Sequence, residues 1–245
     1  MGQFDMKIAG HVGRVHALFE STRDYCKNYL TEEAPEFSVT VTRGDLAFEQ
    51  AELLAEAKAE GMKPRKFTDP FLDRAAIQRG FADHLFEKDV LLCHGSTVAV
   101  DGRAYLFTAK CGTGKSTHTR LWREVFGCRA TMINDDKPFL TIREEGVLIS
   151  GSPWSGKHGL DTNITVPLRG ICILTRGKEN RIRPMAPEEA LTMLRKQSYR
   201  PLDAGKEDRF LQLTEILATT VPLWYLECTK DPEAAEISHS AMTSK

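Results

Sequence analysis

The stretch Ala109-Lys-Cys-Gly-Thr-Gly-Lys115-Ser116-Thr117 decides how the rest of this chain is interpreted. An apolar run at 104–107 precedes it, and the residues that follow, 116–126, predict a helix. Glycines before a helix let backbone N–H groups turn toward a phosphate, and the helix start adds positive partial charge. The first glycine of a full phosphate-binding motif is Ala109 here, which is tolerated at negative φ and strained at positive φ.

Four positions of the stretch match a Walker A loop. They are Gly112, Gly114, Lys115 and Ser116. In that motif the lysine reaches the β- and γ-phosphates and the hydroxyl lies on Mg²⁺. The stretch therefore predicts an ATP and magnesium site, with Lys115 also counted as catalytic. The residues assigned to nucleotide binding are Cys111, Gly112, Thr113, Gly114, Lys115, Ser116 and Thr117.

An acidic pair follows the next predicted strand, 130–133. In phosphate-loop proteins a carboxylate at such a strand end orders Mg²⁺. Asp135 and Asp136 are predicted to share two tasks, with one holding the metal alongside Ser116 and the other accepting a proton from a hydroxyl. The sequence leaves open which does which, and an acidic surface turn is the alternative. His94 is either a structural histidine or a contact to the transferred phosphoryl group.

A polar segment at 151–163 is predicted to select the substrate. Lys157 is suited to neutralise charge that develops on phosphoryl oxygens. Trp154 is suited to stack on a substrate, and Asn163 completes the predicted substrate set. The alternative is a surface loop held in place by a buried tryptophan.

Composition narrows the function classes. The chain has 245 residues with 33 basic and 34 acidic side chains, a balance that disfavours a dedicated nucleic-acid binder. The 6 cysteines form no CxxC pair and the 7 histidines form no HExxH motif, so a metal cage built from protein ligands alone is not expected. Scattered thiols and the lack of a long apolar run predict a cytoplasmic protein without membrane partners.

Residues 1–88 read as an α+β appendage and residues 89–245 as an α/β core with a mixed sheet. An Asp-Gly pair at 101–102 predicts a hairpin between the strands 97–100 and 104–107. The remaining strands and helices are expected at the following positions. Strands are predicted at 37–42, 90–93, 130–133, 139–142, 147–149, 170–174 and 221–227, with a turn at 145–146. Helices are predicted at 15–30, 45–61, 69–88, 116–126, 187–196, 207–219 and from about 231.

The order of these motifs resembles the HPr kinase/phosphorylase family and, more distantly, phosphoenolpyruvate carboxykinase. The resemblance covers about residues 90–176 and rests on His94-Gly95, the hairpin, the glycine-rich run and Asp135-Asp136. Thr117 stands where HPr kinases usually have Glu, and the Lys-Ser-Thr run is nearer to the carboxykinase version.

The resemblance implies a P-loop kinase core with a mixed β-sheet that uses ATP and Mg²⁺. It implies phosphorylation of a hydroxyl, either a serine of a protein or peptide or a small molecule, and is compatible with a homo-oligomer. Two alternatives stay open at the level of sequence. One is a nucleotide-sensing module or slow NTPase that transfers no phosphate, and the other is a scaffold that keeps a vestigial loop.

Overall fold

The computed structural model describes residues 2–59, 61 and 63–244 and has a mixed α/β architecture. The chain divides into two compact units, Met1–Leu85 and Phe86–Lys245. The boundary expected from sequence is 88/89. Within the described residues, none of the helices is both long and apolar enough to cross a membrane.

The first unit contains a small sheet in which β2 is the central strand, antiparallel to β1 and parallel to β3. Its elements are β1 (Gly2–Ile8), β2 (His11–Ala17), α1 (Ser21–Tyr25), β3 (Phe37–Thr40), α2 (Arg43–Ala59) and α3 (Asp69–Phe86), the last ending at the first residue of the second unit. Thr42 and Asp45 exchange side-chain to backbone hydrogen bonds at the start of α2, a reciprocal cap that satisfies otherwise unpaired N–H groups.

The helix expected over 15–30 is largely absent. Its first residues belong to β2, and α1 covers only Ser21–Tyr25. The preceding strand, β1, was not predicted at all, although Phe4, Met6 and Ile8 are buried alternately along it. A period of two is the pattern of a strand with one buried face, so pairing between these two strands overrides the helical reading of the segment.

The second unit carries a larger sheet with helices on both faces. Its strands are β4 (Val90–Leu92), β5 (Ser96–Val100), β6 (Arg103–Thr108), β7 (Ala130–Asn134), β8 (Phe139–Arg143), β9 (Gly146–Ser150), β10 (Thr165–Arg176), β11 (Arg181–Pro184) and β12 (Leu223–Cys228). Its helices are α4 (Lys115–Phe126), α5 (Pro187–Gln197), α6 (Glu207–Thr220) and α7 (Glu233–Thr243).

Strand directions place several chain ends at one edge of this sheet. β6, β10 and β12 are parallel, and β5 lies antiparallel between β6 and β7, so β7 also runs in the direction of β6. The ends of these four strands and the beginning of β5 therefore meet at the same edge, which we call the carboxyl edge. In open α/β sheets, ligands bind outside the carboxyl ends of the strands.

Alternate residues of each central strand face two different cores, because successive side chains point to opposite faces. Leu106 and Ile171 belong to a core that includes residues of α5 and α6. Phe107 and Cys172 belong to a core that includes residues of α4 and α7. Helices on both faces hold the sheet between them, which fixes its carboxyl edge.

The first predicted hairpin is confirmed, whereas the second hairpin and β10 differ in detail from expectation. The predicted hairpin at 101–102 is present, with Asp101 at φ 51° and Gly102 at φ 77°, which are the positive values of a type I′ turn. The second turn lies at 144–145 rather than 145–146, because Arg143 pairs with Gly146. β10 is longer than the predicted 170–174, since its first residues pair with β9.

Candidate functional site at the carboxyl edge

The glycine loop, residues 109–115, joins the end of β6 to the start of α4. Gly112 has φ 73° and Gly114 has φ 127°, values that side chains strongly disfavour. Ala109 is not among the described residues with positive φ, so it replaces the first glycine of the motif without strain. The loop geometry therefore agrees with the glycines that the sequence retains.

Lys115 is the first residue of α4, and its side chain is 8% exposed. Its ammonium group donates a hydrogen bond of 3.2 Å to the carbonyl of Ala109, across the loop. Burial lowers the pKa of Lys115 below its ordinary value. A desolvated ammonium at this position gains more from a nearby anion than one in water would.

Arg176, the last residue of β10, holds the same loop from outside. Its guanidinium donates to the carbonyl of Thr113 at 3.2 Å and to that of Gly112. In a planar trans peptide the carbonyl and the following N–H point in opposite directions. The N–H of Gly114 therefore points away from Arg176. No pattern in the sequence predicted this contact between Arg176 and the loop.

Asp135 is buried and is tied to α4 through hydroxyl groups. One carboxylate oxygen accepts a hydrogen bond of 2.6 Å from Ser96, the first residue of β5. The Ser96 hydroxyl lies 2.7 Å from that of Thr119 on α4. Ser96 and Thr119 have no special signal in the sequence, because only the pairing of the strands brings them to this carboxylate.

Asp136 lies beside His94, with 3.2 Å between a carboxylate oxygen and Nε2. Burial raises the pKa of Asp136, but the hydrogen bond from His94 and the charges of Lys137 and Lys115 outweigh it, and the pKa is below its ordinary value. Burial lowers the pKa of His94, which the carboxylate offsets only in part. At neutral pH the pair is thus an ionised aspartate that accepts a hydrogen bond from a neutral imidazole.

Asn134 shapes the acidic turn and was given no role in the sequence. It is fully buried. Its side-chain oxygen accepts hydrogen bonds from the N–H groups of Asp136 at 2.8 Å and Lys137 at 2.6 Å. Its amide donates to the carbonyl of Ser152 at 2.8 Å. An asparagine directly after a strand often bonds its own backbone in this way, so residue type and position were the available signal.

The segment 151–164 lies along β7 and brings Gly156 to the acidic pair. Thr162 donates to the carbonyl of Met132 at 2.7 Å. A Cβ built on Gly156 would lie 3.4 Å from Cβ of Asp136. Lys157 follows directly and is exposed. The structure therefore places the backbone next to Lys157 beside the second aspartate.

The other two predicted substrate residues have different surroundings. Trp154 is 6% exposed, and its ring lies 6.3 Å from that of Phe139. This packing favours the alternative in which a buried tryptophan holds the loop in place. Asn163 is exposed at the far end of the segment.

A cavity of about 580 Å³ adjoins the glycine loop through Arg176. The residues that line it are Arg176, Gly177, Lys178, Glu179, Arg181 and Glu227. Among the described residues, no group of three or more His, Cys, Asp or Glu side chains is arranged to hold a metal ion. Oxygen donors at the carboxyl edge include the hydroxyl of Ser116, an exposed residue, and the carboxylates of Asp135 and Asp136.

Comparison with known proteins gives distant likenesses among solved structures. No protein-family model matches the chain, and no curated protein matches it. Among solved structures, the Hpr(Ser) kinase/phosphatase from Coxiella burnetii aligns with a TM-score of 0.39 and 12% sequence identity. The alignment covers 63% of this chain and 99% of that one. Similarity at this level assigns neither a family nor an activity to the chain.

Proposed function

We propose that this protein is an ATP-dependent phosphotransferase that moves the γ-phosphoryl group to a hydroxyl, either a serine of a protein or peptide or a small molecule. The observation that carries the proposal is the ionised, half-buried Asp136, held by His94 at the sheet edge that also bears the glycine loop. A base beside a phosphate-binding loop is the arrangement that hydroxyl phosphorylation requires.

Binding of the triphosphate falls to the loop and to the start of α4. The N–H of Gly114, which points away from Arg176, the N-terminus of α4 and the ammonium of Lys115 would each supply positive charge to phosphate oxygens. The lowered pKa of Lys115 reflects a dry environment, in which its attraction for an anion is strong. The adjoining cavity offers space for the nucleoside part of ATP.

The oxygen donors fit a magnesium ion, which prefers one or two carboxylates together with phosphates and water. Ser116 and Asp135 would hold it, since Asp135 is fixed to α4 through Ser96. When bound, magnesium neutralises charge on the β- and γ-phosphates.

Asp136 would receive the proton of the acceptor hydroxyl. As the acceptor oxygen forms its bond to the γ-phosphorus, the bond from phosphorus to the bridging oxygen breaks and ADP leaves. His94 keeps the carboxylate in position through the 3.2 Å contact. Lys115 and Lys157 would stabilise charge on the phosphoryl oxygens, and the exposed turn after Gly156 would face the acceptor.

The test is transfer of label from γ-labelled ATP, with magnesium, to a panel of serine peptides and hydroxyl metabolites. We expect Lys115→Ala to weaken ATP binding about tenfold or more, because a desolvated charge is removed. We expect Asp136→Asn to keep the affinity for ATP but to slow transfer about 100-fold or more.

Two matched variants serve as controls. Lys27→Ala removes an exposed lysine from the first unit, and Asp101→Asn removes an exposed carboxylate at the other end of β5. Both should behave as the unmodified protein does. Transfer that survives Asp136→Asn would contradict the assignment of the base. ATP binding without transfer to any acceptor would favour a nucleotide-sensing module instead.

A further inference from the structure

A second cavity, of about 450 Å³, lies at the opposite end of β6 from the glycine loop. Three arginines, Arg103, Arg143 and Arg169, line it together with Glu145 and backbone and apolar groups. Arg103 is the first residue of β6, whereas the glycine loop follows the last residue of that strand. The cavity is thus separate from the site at the carboxyl edge.

The arginines come from three different strands, and each stands at a special position in its strand. Arg143 ends β8 and pairs with Gly146, whose φ of 144° is open only to glycine. Arg169 lies at an irregularity in β10, where the register to β6 shifts between Leu168 and Gly170. Such a bulge places an extra residue outside the ladder and redirects its side chain.

In the part of the chain that the structure describes, the three guanidinium groups have no acidic partners. Within the described part of the chain, none of them forms a hydrogen bond or an ion pair with a carboxylate. Arginines elsewhere in the same unit do form such pairs, as Arg195 does with Glu215 and Arg209 does with Asp89. Among the described residues, Glu145 is the single acidic residue that lines the cavity, so the cavity keeps a net positive charge.

We propose that this cavity binds a small anion with two or more phosphate or carboxylate groups. A guanidinium presents a planar fork of N–H donors that fits either oxyanion. A volume of this size suits a small molecule. Three like charges gathered around one cavity repel each other, and an anion with several charges removes that repulsion. The site is independent of the proposed phosphotransfer.

The experiment is a calorimetric titration of the full chain, without metal and at fixed ionic strength, with two probes. Inorganic pyrophosphate represents anions with phosphate groups, and citrate represents anions with carboxylate groups. Comparing the two titrations shows which kind of anion the cavity binds. We expect at least one probe to bind, and we expect Arg169→Gln and Arg143→Gln each to weaken it about tenfold. Lys115→Ala should leave this binding intact, since it acts only on the glycine loop.

The matched control is Arg23→Gln, which removes the same charge from an exposed arginine in the first unit. It should leave the affinity unchanged. Circular dichroism checks that each variant is folded. Arg103→Gln provides a third cavity variant, at the start of β6. The proposal is overturned if neither probe binds at millimolar concentration. It is equally overturned if the cavity variants and Arg23→Gln have the same effect, or if Lys115→Ala alone abolishes binding.

Discussion

Gly112 and Gly102 have nearly the same backbone conformation in very different places. Their φ values are 73° and 77°, and a Cβ on either would meet no atom within 4 Å. Replacing either with alanine therefore imposes similar backbone strain, about 1–2 kcal/mol. Comparing alanine substitutions at these two residues therefore distinguishes the effect of backbone strain anywhere in the fold from the effect of strain in the glycine loop.

We expect Gly112→Ala to weaken ATP binding about tenfold while Gly102→Ala leaves it unchanged. The reason is that Gly112 belongs to the backbone that faces the proposed phosphate position, whereas Gly102 lies in the turn between β5 and β6. ATP titration of both variants, with unfolding free energies as the reference, tests this. Equal effects of the two substitutions on affinity would contradict the role given to the loop.

The pair of helices α4 and α7 buries a histidine that responds to pH. His118 is 2% exposed, and its Nε2 accepts a hydrogen bond of 3.1 Å from the indole N–H of Trp122. The same indole donates to the hydroxyl of Ser238 on α7 at 2.9 Å. Burial lowers the pKa of His118 to about 4. The imidazole therefore stays neutral in the folded protein at pH values where the unfolded chain is protonated.

The pH dependence has a definite sign. Below pH 6.5 the unfolded chain binds a proton at His118 that the folded protein does not bind until about pH 4. The free energy of unfolding thus decreases as the pH falls, by about 2 kcal/mol from pH 7 to pH 5 for this group. We expect His118→Gln to remove that part of the decrease in denaturant titrations at the two pH values.

The exposed His158 supplies the control for this prediction. His158→Gln also removes one imidazole, yet it should leave the difference in unfolding free energy between pH 7 and pH 5 as it is in the unmodified protein. If His118→Gln and His158→Gln gave the same pH dependence, the buried imidazole would not be the group responsible.

Local features of the sequence predicted the turns and helices of the site better than they predicted the contacts between its residues. The hairpin at 101–102 and the start of α4 depend on glycine positions and on neighbouring apolar residues, so they were found. Asn134 and Ser96 were missed as site residues because their roles arise where β5 pairs with β7. That pairing joins segments far apart in the chain, and no local pattern encodes it.

The same distinction explains the errors in the strands. The first residues of β10 include Pro167, which argues against a strand in the sequence, but they pair with β9, so the strand begins at Thr165 rather than at 170. For β1 the alternation of Phe4, Met6 and Ile8 was present in the sequence and was overlooked. Periodicity alone was sufficient there, whereas β10 required knowledge of its neighbour.

At the scale of the whole molecule, every residue of the candidate site lies in the second unit, Phe86–Lys245. The two cores that flank its sheet are built only from residues of that unit. We therefore expect a fragment of residues 86–245 to fold and to bind ATP with the affinity of the full chain. Circular dichroism and titration with a fluorescent ATP analogue measure the two properties.

A fragment that fails to fold, or one that folds and binds ATP at least about tenfold more weakly, would contradict this independence. In that case residues 2–85 would be needed for the site. The fragment experiment measures ATP binding and not phosphate transfer. The first unit is free to contribute to the choice of acceptor even when it is not required for nucleotide binding.

The length of the turn between β5 and β6 determines which residues pair at the other end of these strands, where the candidate site lies. Ser96 is paired with Phe107 only because the turn holds two residues, Asp101 and Gly102. One residue inserted in this turn would shift the pairing of β5 with β6 by one position. The Ser96 hydroxyl would then lie on the opposite face of the sheet, away from Asp135. The turn lies about 16 Å from Ser96, the length of five strand residues. Its lengthening would therefore loosen Asp135, although the turn does not contact that aspartate.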